Sequence, residues 1–220
     1  MNELELISNA ISYINTNKKE FIKQFTLNIE PMKEKIAIFT AGMSGVGKTE
    51  FGQFLKENNK DLLHIDTDNI RDFFKDVGYN GQNSNIFQKP ASKGFSKLFD
   101  YAIKNNLSLI LDSNLSNLNQ AIDNIERLLK KGYKIEIFYL YNEPDTCFEY
   151  AIKREVITNR KVPYDIFIQS NINSYKTVIE LKNLFKDKIV LNYIDKREDT
   201  LYKDVSIDEL KQKVGESFDF

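Results

Sequence analysis

The sequence predicts an α/β fold in which a mainly parallel sheet of about five strands carries helices on both faces. Short apolar runs of the kind found in fully buried strands alternate along the chain with helical patterns. Repeated alternation of this kind produces parallel strands joined by crossover helices. A glycine-rich segment follows the first apolar run, as at a strand–loop–helix junction. The 220 residues suit one such domain and leave little for a second.

The predicted strands are the apolar runs KIAIFTA (35–41), LLHID (62–66), LSLILD (107–112), KIEIFYLY (134–141) and KIVLNYI (188–194). Parallel sheets of this type bind ligands at the carboxyl ends of their strands. A site is therefore expected in the segments that follow these runs. The Gly/Asn-rich stretch 76–94 follows the second strand on this side and is predicted to be irregular.

Helical patterns occupy the intervals between the strands. They run over residues 48–58, about 93–105 and 118–131, and two more begin near Asp145 and at Pro163. Asn117, with Gln120 three residues later, predicts the N-cap of the third helix, and Gly132 lies just past its end. Ser206 and Glu209 have the capping-box spacing of a C-terminal helix.

Residues 1–34 are predicted to form a helical segment ahead of a domain at 35–220. One helix has an apolar stripe and a second ends near Pro31; their apolar residues are Leu4, Ile7, Ile11 and Ile14, then Phe21, Ile22 and Phe25. Three roles stay open: an interaction arm, a built-in inhibitor that folds over the site, or helices that pack on the domain. The apolar stripe favours packing.

The composition disfavours several classes of site and partner. The net charge is −1 and the pI is about 6.0, whereas a nucleic-acid-binding domain usually carries a basic excess. The one cysteine, Cys147, is expected on a buried helix face and permits no intramolecular disulfide, and the one histidine, His64, excludes a multi-histidine metal site. No apolar run approaches the roughly 18 residues of a membrane span. The N-terminus lacks a secretory pattern, so a cytoplasmic setting is expected.

The first strand leads into a phosphate-binding motif. Residues 42–49 match G-x-x-x-x-G-K-[ST] between a strand and a helix, the context that this motif requires. They are Gly42, Met43, Ser44, Gly45, Val46, Gly47, Lys48 and Thr49. In such a loop the backbone N–H groups wrap the phosphates, Lys48 reaches the β- and γ-phosphates, and the Thr49 hydroxyl ligates Mg²⁺. The motif predicts binding of ATP or another nucleoside triphosphate; a loop that binds without turnover is the alternative.

Acidic residues follow the second and third strands. Asp66 and Asp68 stand where both can face the phosphates. Asp68 is predicted to accept a proton from an attacking hydroxyl, and Arg71 to hold the acceptor one turn later; the alternative is that Asp68 only caps a helix. After the third strand, Asp112 is placed to bind Mg²⁺ through water or to grip a substrate hydroxyl, with Asn114 beside it. The alternative for these two is a solvated loop.

A basic stretch after the fourth strand, near residues 151–165, predicts a lid. Arg154 and Arg160 flank a helix end just before Pro163. Phosphoryl transfer develops charge on the γ-oxygens, and mobile arginines stabilise this charge while they close over the nucleotide. The alternative is a solvated helix face.

Together these segments resemble the zeta-toxin family of P-loop kinases. The resemblance rests on GMSGVGKT, IDTDNIR, LILDSN and KREVITNRKVP, which occur in the family's order over roughly residues 35–185. It implies a three-layer P-loop kinase sandwich that transfers the γ-phosphate of ATP, with Mg²⁺, to the sugar 3′-hydroxyl of UDP-N-acetylglucosamine or a related UDP-sugar. It also implies a helical antitoxin partner that covers the nucleotide site.

Carried over by position, the P-loop roles fall to Lys48 and Thr49, and the γ-phosphate contacts fall to Arg154 and Arg160. Asp68 becomes the base that activates the acceptor hydroxyl. These assignments are what the resemblance implies for the positions of this sequence that match the family's motifs.

The acceptor stays open at this point. Asp112 stands where the family often has a glutamate that grips the sugar, and the sequence DSN replaces a glycine-rich turn. The Asp68-x-x-Arg71 turn also resembles polynucleotide 5′-hydroxyl kinases, although the net charge disfavours that substrate. Nucleoside, antibiotic or adenylylsulfate kinases share the scaffold. A nucleotide-dependent interaction protein without turnover is the non-enzymatic alternative.

Overall fold

A single six-stranded sheet forms the centre of the molecule in the residues that the structure, a computed structural model, describes: 2–158 and 162–215. The strands are β1 (Ile36–Ala41), β2 (Leu63–Asp66), β3 (Leu109–Asp112), β4 (Lys134–Tyr141), β5 (Ile189–Asp195) and β6 (Thr200–Tyr202). Their spatial order is β2-β3-β1-β4-β5-β6, with all neighbours parallel except β5 and β6. The predicted α/β class with a mainly parallel sheet is confirmed.

The sequence analysis does not predict β6, because a strand of three residues gives no apolar run. It pairs antiparallel with β5, where Tyr193 lies opposite Tyr202 and the two rings stack at 5.8 Å between centroids. Such aromatic cross-strand pairs stabilise a strand that is too short to bury much surface by itself. The turn between β5 and β6 brings residues 196–199 close to the carboxyl end of β4.

Helices surround the sheet and connect its strands. They are α1 (Glu3–Thr16), α2 (Lys18–Thr26), α3 (Lys48–Asn58), α4 (Thr67–Asp72), α5 (Gln88–Lys104), α6 (Leu118–Lys130), α7 (Pro144–Thr158), α8 (Tyr164–Phe185) and α9 (Ile207–Val214). The predicted caps at Asn117 and Ser206 are confirmed, since their side chains accept from the N–H groups of Gln120 and Glu209. Cys147 is fully buried, as predicted.

One boundary is wrong in the prediction. Residues 88–94 belong to the first turns of α5 and not to an irregular stretch. Pro90 is compatible with this because it lies in the first helical turn, where its missing N–H has no intrahelical acceptor. The irregular segment therefore ends at Phe87, and α5 begins close to the carboxyl end of β2.

The N-terminal helices share the core of the sheet domain. Ile14 and Phe21 are fully buried and belong to the same apolar cluster as the central strands. Both approach α5 at Gly94, where an added Cβ would lie 3.1 Å from the ring of Phe21 and 3.2 Å from Cδ1 of Ile14. The predicted apolar stripe is only partly buried, since Leu4 is 79% exposed. These contacts favour the packing role over a detached arm.

No helix among the described residues combines the length and the apolar character that crossing a membrane requires.

We expect Ile14→Ala to lower the free energy of unfolding by about 2–5 kcal/mol, because it removes a fully buried side chain between α1 and α5. Leu4→Ala on the same helix is the matched control and should change this free energy by less than about 0.5 kcal/mol. Urea denaturation followed by circular dichroism measures both. Equally small effects would mean that α1 folds apart from the domain.

Candidate active site

A cavity of about 1400 Å³ lies at the carboxyl ends of the central strands. It brings together residues from the phosphate-binding loop, from the segments that follow β2 and β3, and from α7. The predicted site residues that line it are Ser44, Gly45, Val46, Gly47, Lys48, Thr49, Asp66, Asp68, Arg71, Asp112, Asn114 and Arg154. Met43, within the loop, is instead fully buried, and Gly42 directly follows the last residue of β1. Arg160 lies outside the described residues.

The phosphate-binding loop adopts a conformation that requires its glycines. Gly45 and Gly47 have φ angles of +81° and +95°, in the left-handed region that side chains disfavour. A Cβ on Gly45 would lie 2.2 Å from the carbonyl oxygen of Cys147 on α7. The start of the loop is fixed from another direction, since the N–H of Gly42 donates to the hydroxyl of Ser174 on α8 at 2.9 Å. Two helices distant in sequence therefore hold the loop in shape.

Lys48 is held within the loop that it serves. Its side chain is buried, and its Nζ donates to the carbonyl oxygen of Met43 at 2.6 Å. Burial lowers the pKa of Lys48 to about 8; the negative charge of Asp112 raises it in part, and the charge of Arg154 lowers it further. The ammonium group is thus pre-positioned where a phosphate would add negative charge.

Three neighbouring strands end in polar side chains at the floor of the cavity. Asp66 on β2 lies in register with Asp112 on β3, and the Thr40 hydroxyl on β1 donates to Asp112 Oδ1 at 3.0 Å. His64 Nε2 lies 3.3 Å from Asp112 Oδ2. Burial raises the pKa of Asp112, but the hydrogen bond from His64 and the charge of Lys48 outweigh it and hold this pKa below its usual range. Asp112 is therefore an anion at neutral pH.

Asp66 and Asp68 have different environments. Asp66 caps α4, because its Oδ1 accepts from the N–H of Asp68 at 2.9 Å. Burial and the charges of Asp68 and Asp112 raise the pKa of Asp66 to about 6. The Asp68 side chain is 38% exposed and lines the cavity. The helix cap considered for Asp68 is thus supplied by Asp66, which leaves the Asp68 carboxylate facing the cavity.

Arg71 is tied to Asp68. Its side chain is almost fully buried, and its Nη1 donates to Asp68 Oδ1 at 2.5 Å. Its Nη2 donates to Gln88 Oε1 at the start of α5. The sequence analysis missed Gln88, although Pro90 two residues later is a signal for a first helical turn. In this arrangement the buried Arg71 guanidinium orients the more exposed Asp68 carboxylate.

The remaining predicted residues connect the cavity to α7 and α8. Asn114 Nδ2 donates to the Ser170 hydroxyl at 2.9 Å, which ties the loop after β3 to α8. Arg154 on α7 reaches the phosphate-binding loop, where its Nη2 donates to the Ser44 hydroxyl at 3.2 Å. The Arg154 guanidinium group therefore lies beside the candidate phosphate-binding site of the loop.

The family model for zeta toxins matches residues 19–206, most of the chain. No curated protein matches the sequence. Among solved structures, a chain of the PezAT chromosomal toxin-antitoxin system of the human pathogen Streptococcus pneumoniae is similar, with a TM-score of 0.72 and 17% identity. The match covers 97% of this chain and 89% of that chain.

A chain from the AvrRxo1-ORF1:AvrRxo1-ORF2 complex with ATP is also similar, with a TM-score of 0.61 and 13% identity. This match covers 96% of the present chain and 70% of the other. At these identities the similarity concerns the fold, which both matches share almost from end to end of the present chain.

We expect the affinity for ATP to fall roughly tenfold between pH 7 and pH 9, because Lys48 loses its proton near pH 8 in the unliganded protein and a bound triphosphate restores it. Calorimetry in two buffers of different ionisation enthalpy should show proton uptake on binding at pH 8.5. Lys48→Met should bind weakly at both pH values without this step. Lys60→Met, at an exposed position outside the cavity, is the control and should keep this proton uptake. An unchanged affinity across this pH range would contradict the role of Lys48.

Proposed function

The chain belongs to the zeta toxin family, and on this premise we propose that it is an ATP-dependent phosphotransferase that moves the γ-phosphate to a hydroxyl of a small molecule. The observation that carries the proposal is the placement of the Asp68 carboxylate in the same cavity as the phosphate-binding loop, with Arg71 holding it. A nucleotide-binding protein without turnover has no need of an oriented carboxylate at this place.

The loop and its neighbours bind the triphosphate. Residues 44–49, which include the start of α3, line the cavity, and the backbone N–H groups of such a loop suit phosphate oxygens. Lys48 neutralises negative charge on the β- and γ-phosphates once it leaves the carbonyl oxygen of Met43. Arg154 approaches from α7 and stabilises the charge that develops on the γ-oxygens during transfer. Arg160 is proposed to share this task.

The transfer itself requires one base. Asp68 orients the acceptor hydroxyl and takes its proton as the acceptor oxygen forms a bond to the γ-phosphorus. The bond from that phosphorus to the oxygen of the β-phosphate breaks, and ADP leaves with the bonding electrons. Arg71 donates to Asp68 Oδ1 and so helps to orient this carboxylate toward the acceptor. Most of the acceleration then comes from positioning and charge stabilisation.

Mg²⁺ fits the donors of the cavity. The Thr49 hydroxyl and the Asp112 carboxylate both line it, and oxygen atoms are the ligands that this hard cation takes in nucleotide sites. Thr49 would hold the ion directly and Asp112 through water. When bound, the ion would neutralise negative charge on the phosphates.

We propose a UDP-sugar such as UDP-N-acetylglucosamine as the acceptor, supported by membership of the zeta toxin family. Asn114 and, as the alternative to its role on the metal, Asp112 are proposed to bind sugar hydroxyls, since both line the same cavity as the phosphate-binding loop. The first turns of α5, including Gln88 and Phe95, also line this cavity. A polynucleotide 5′-hydroxyl acceptor is disfavoured by the net charge of −1.

We also propose an antitoxin protein as a partner of this chain. A similar fold occurs in a chain of the PezAT toxin-antitoxin system. Val156 and Ile157 at the end of α7 are 79% and 83% exposed, and Ile157 borders the cavity. Apolar side chains at the rim of a site suit a protein that covers it.

We expect Asp68→Asn to lower the rate of phosphoryl transfer by about 10²- to 10⁴-fold, because it removes the base, while ATP affinity stays nearly unchanged. The assay mixes γ-labelled ATP and Mg²⁺ with UDP-N-acetylglucosamine, a 5′-hydroxyl oligonucleotide or a nucleoside. Asp72→Asn, an exposed acid on the same helix, is the control and should keep full activity.

Label on the sugar nucleotide would support the UDP-sugar, and label on the oligonucleotide would replace it by the polynucleotide acceptor. If Asp68→Asn lost ATP binding together with transfer, Asp68 would be a binding residue and not the base. If no acceptor, including a metabolite extract, received label, the phosphotransferase proposal would give way to the nucleotide-binding interaction protein.

A further inference from the structure

We propose that His64 is a positioning residue that holds the Asp112 carboxylate in place at the floor of the cavity. The consequence for activity rests on the proposed function, since Asp112 acts there on metal or acceptor. The contact between His64 and Asp112 does not depend on the proposed function, because it is formed within the described structure.

The sheet register brings the two residues together. His64 lies two residues before the end of β2, and Asp112 is the last residue of β3. In the register His64 is opposite Ile110, so His64 and Asp112 point to the same side of adjacent strands. The imidazole reaches along the strand direction and places Nε2 at 3.3 Å from Asp112 Oδ2. The contact is therefore fixed by the backbone of two parallel strands.

A glycine on α3 makes room for the imidazole. A Cβ on Gly52 would lie 2.8 Å from His64 Nε2, closer than real Cβ atoms approach other atoms, and 3.0 Å from Cε1, which is also a tight contact. Glycine is less favourable than alanine within a helix, but at this position only glycine leaves room for the imidazole ring. The His64 side chain is only 9% exposed as a result. The imidazole ring is therefore packed between α3 and the sheet, beside Asp112.

The carboxylate is held from two sides. The Thr40 hydroxyl donates to Oδ1 and His64 donates to Oδ2, since a carboxylate can only accept. With one donor on each oxygen, the Asp112 carboxylate cannot rotate without losing a hydrogen bond. Its charge then stays directed toward Lys48, whose ammonium group it stabilises. Because the aspartate side chain is short, the hydrogen bonds from Thr40 and His64 are enough to fix the orientation of its carboxylate.

The single histidine gives a direct test of the contact. Nuclear magnetic resonance of ¹⁵N-histidine-labelled full-length protein should show one imidazole in the Nε2–H tautomer. Asp112→Ala should shift the Nε2 resonance and mix the tautomers, because the acceptor is gone. An unchanged tautomer and resonance in Asp112→Ala would overturn the proposal, whatever the enzyme transfers.

Activity tests whether the contact matters for the reaction. His64→Leu keeps the apolar volume and removes the donor, and we expect it to lower kcat/KM for the acceptor on the order of tenfold, as outer partners of site ligands commonly do. His64→Gln, which retains a side-chain N–H, should recover most of this loss. In the Asp112→Ala background, His64→Leu should cost nothing further. The same loss in both backgrounds, or full activity of His64→Leu, would overturn the positioning role.

A second variant covers the case in which His64→Leu does not fold. Gly52→Ala keeps the histidine but pushes its ring from the carboxylate, and it should give a similar loss of kcat/KM and a shifted imidazole resonance. Gln53→Ala, exposed on the same helix, is the control and should change neither. If the wild-type protein transferred phosphate to no acceptor, the proposed function would fail, and the resonance measurements would still decide the role of His64.

Discussion

The burial of Lys48 beside the phosphate-binding loop is the constraint on which the cavity floor depends. A buried ammonium group is unfavourable unless hydrogen bonds and opposite charge surround it. The carbonyl oxygen of Met43 supplies the first, and the carboxylate of Asp112 supplies the second. Asp112 is in turn held by Thr40 and His64 from the strands on either side. Lys48 thus links the helix after the loop to the ends of three adjacent strands. The charge at the phosphate site therefore depends on Lys48 and Asp112 together, and on the two residues that hold Asp112.

Two helices support the cavity, α8 through the phosphate-binding loop and α5 as part of the lining. α8 holds the start of the loop through Ser174 and Gly42. α5 presents Gln88 to Arg71, and its opposite face packs at Gly94 against α1 and α2. The N-terminal helices do not line the cavity among the residues described, yet they set the position of the wall beside Asp68. The N-terminal helices thus support the candidate active site indirectly, by packing against α5.

Local patterns explain what the sequence predicts well, and contacts between distant segments explain what it misses. The loop, both strand-end aspartates and the helix caps are predicted because each depends on residues within one short stretch. His64, Thr40 and Gln88 are missed because their roles arise from strand register or from a helix that begins earlier than its apolar pattern. The contacts of Arg71 with Asp68 and Gln88 are formed only in the fold, and its predicted contact with the acceptor stays a prediction. One sequence contains no signal for such pairings.

The hydrogen bond between Gly42 and Ser174 joins residues that are 132 positions apart. During synthesis the motif at the loop leaves the ribosome early, but its anchor on α8 is made only when most of the chain exists. Domains generally fold as units, and contacts of this sequence separation are closed late because of the entropy of the intervening loop. A nascent or prematurely ended chain therefore carries the complete phosphate-binding sequence without the support that shapes it. The order of translation itself delays the appearance of a competent site.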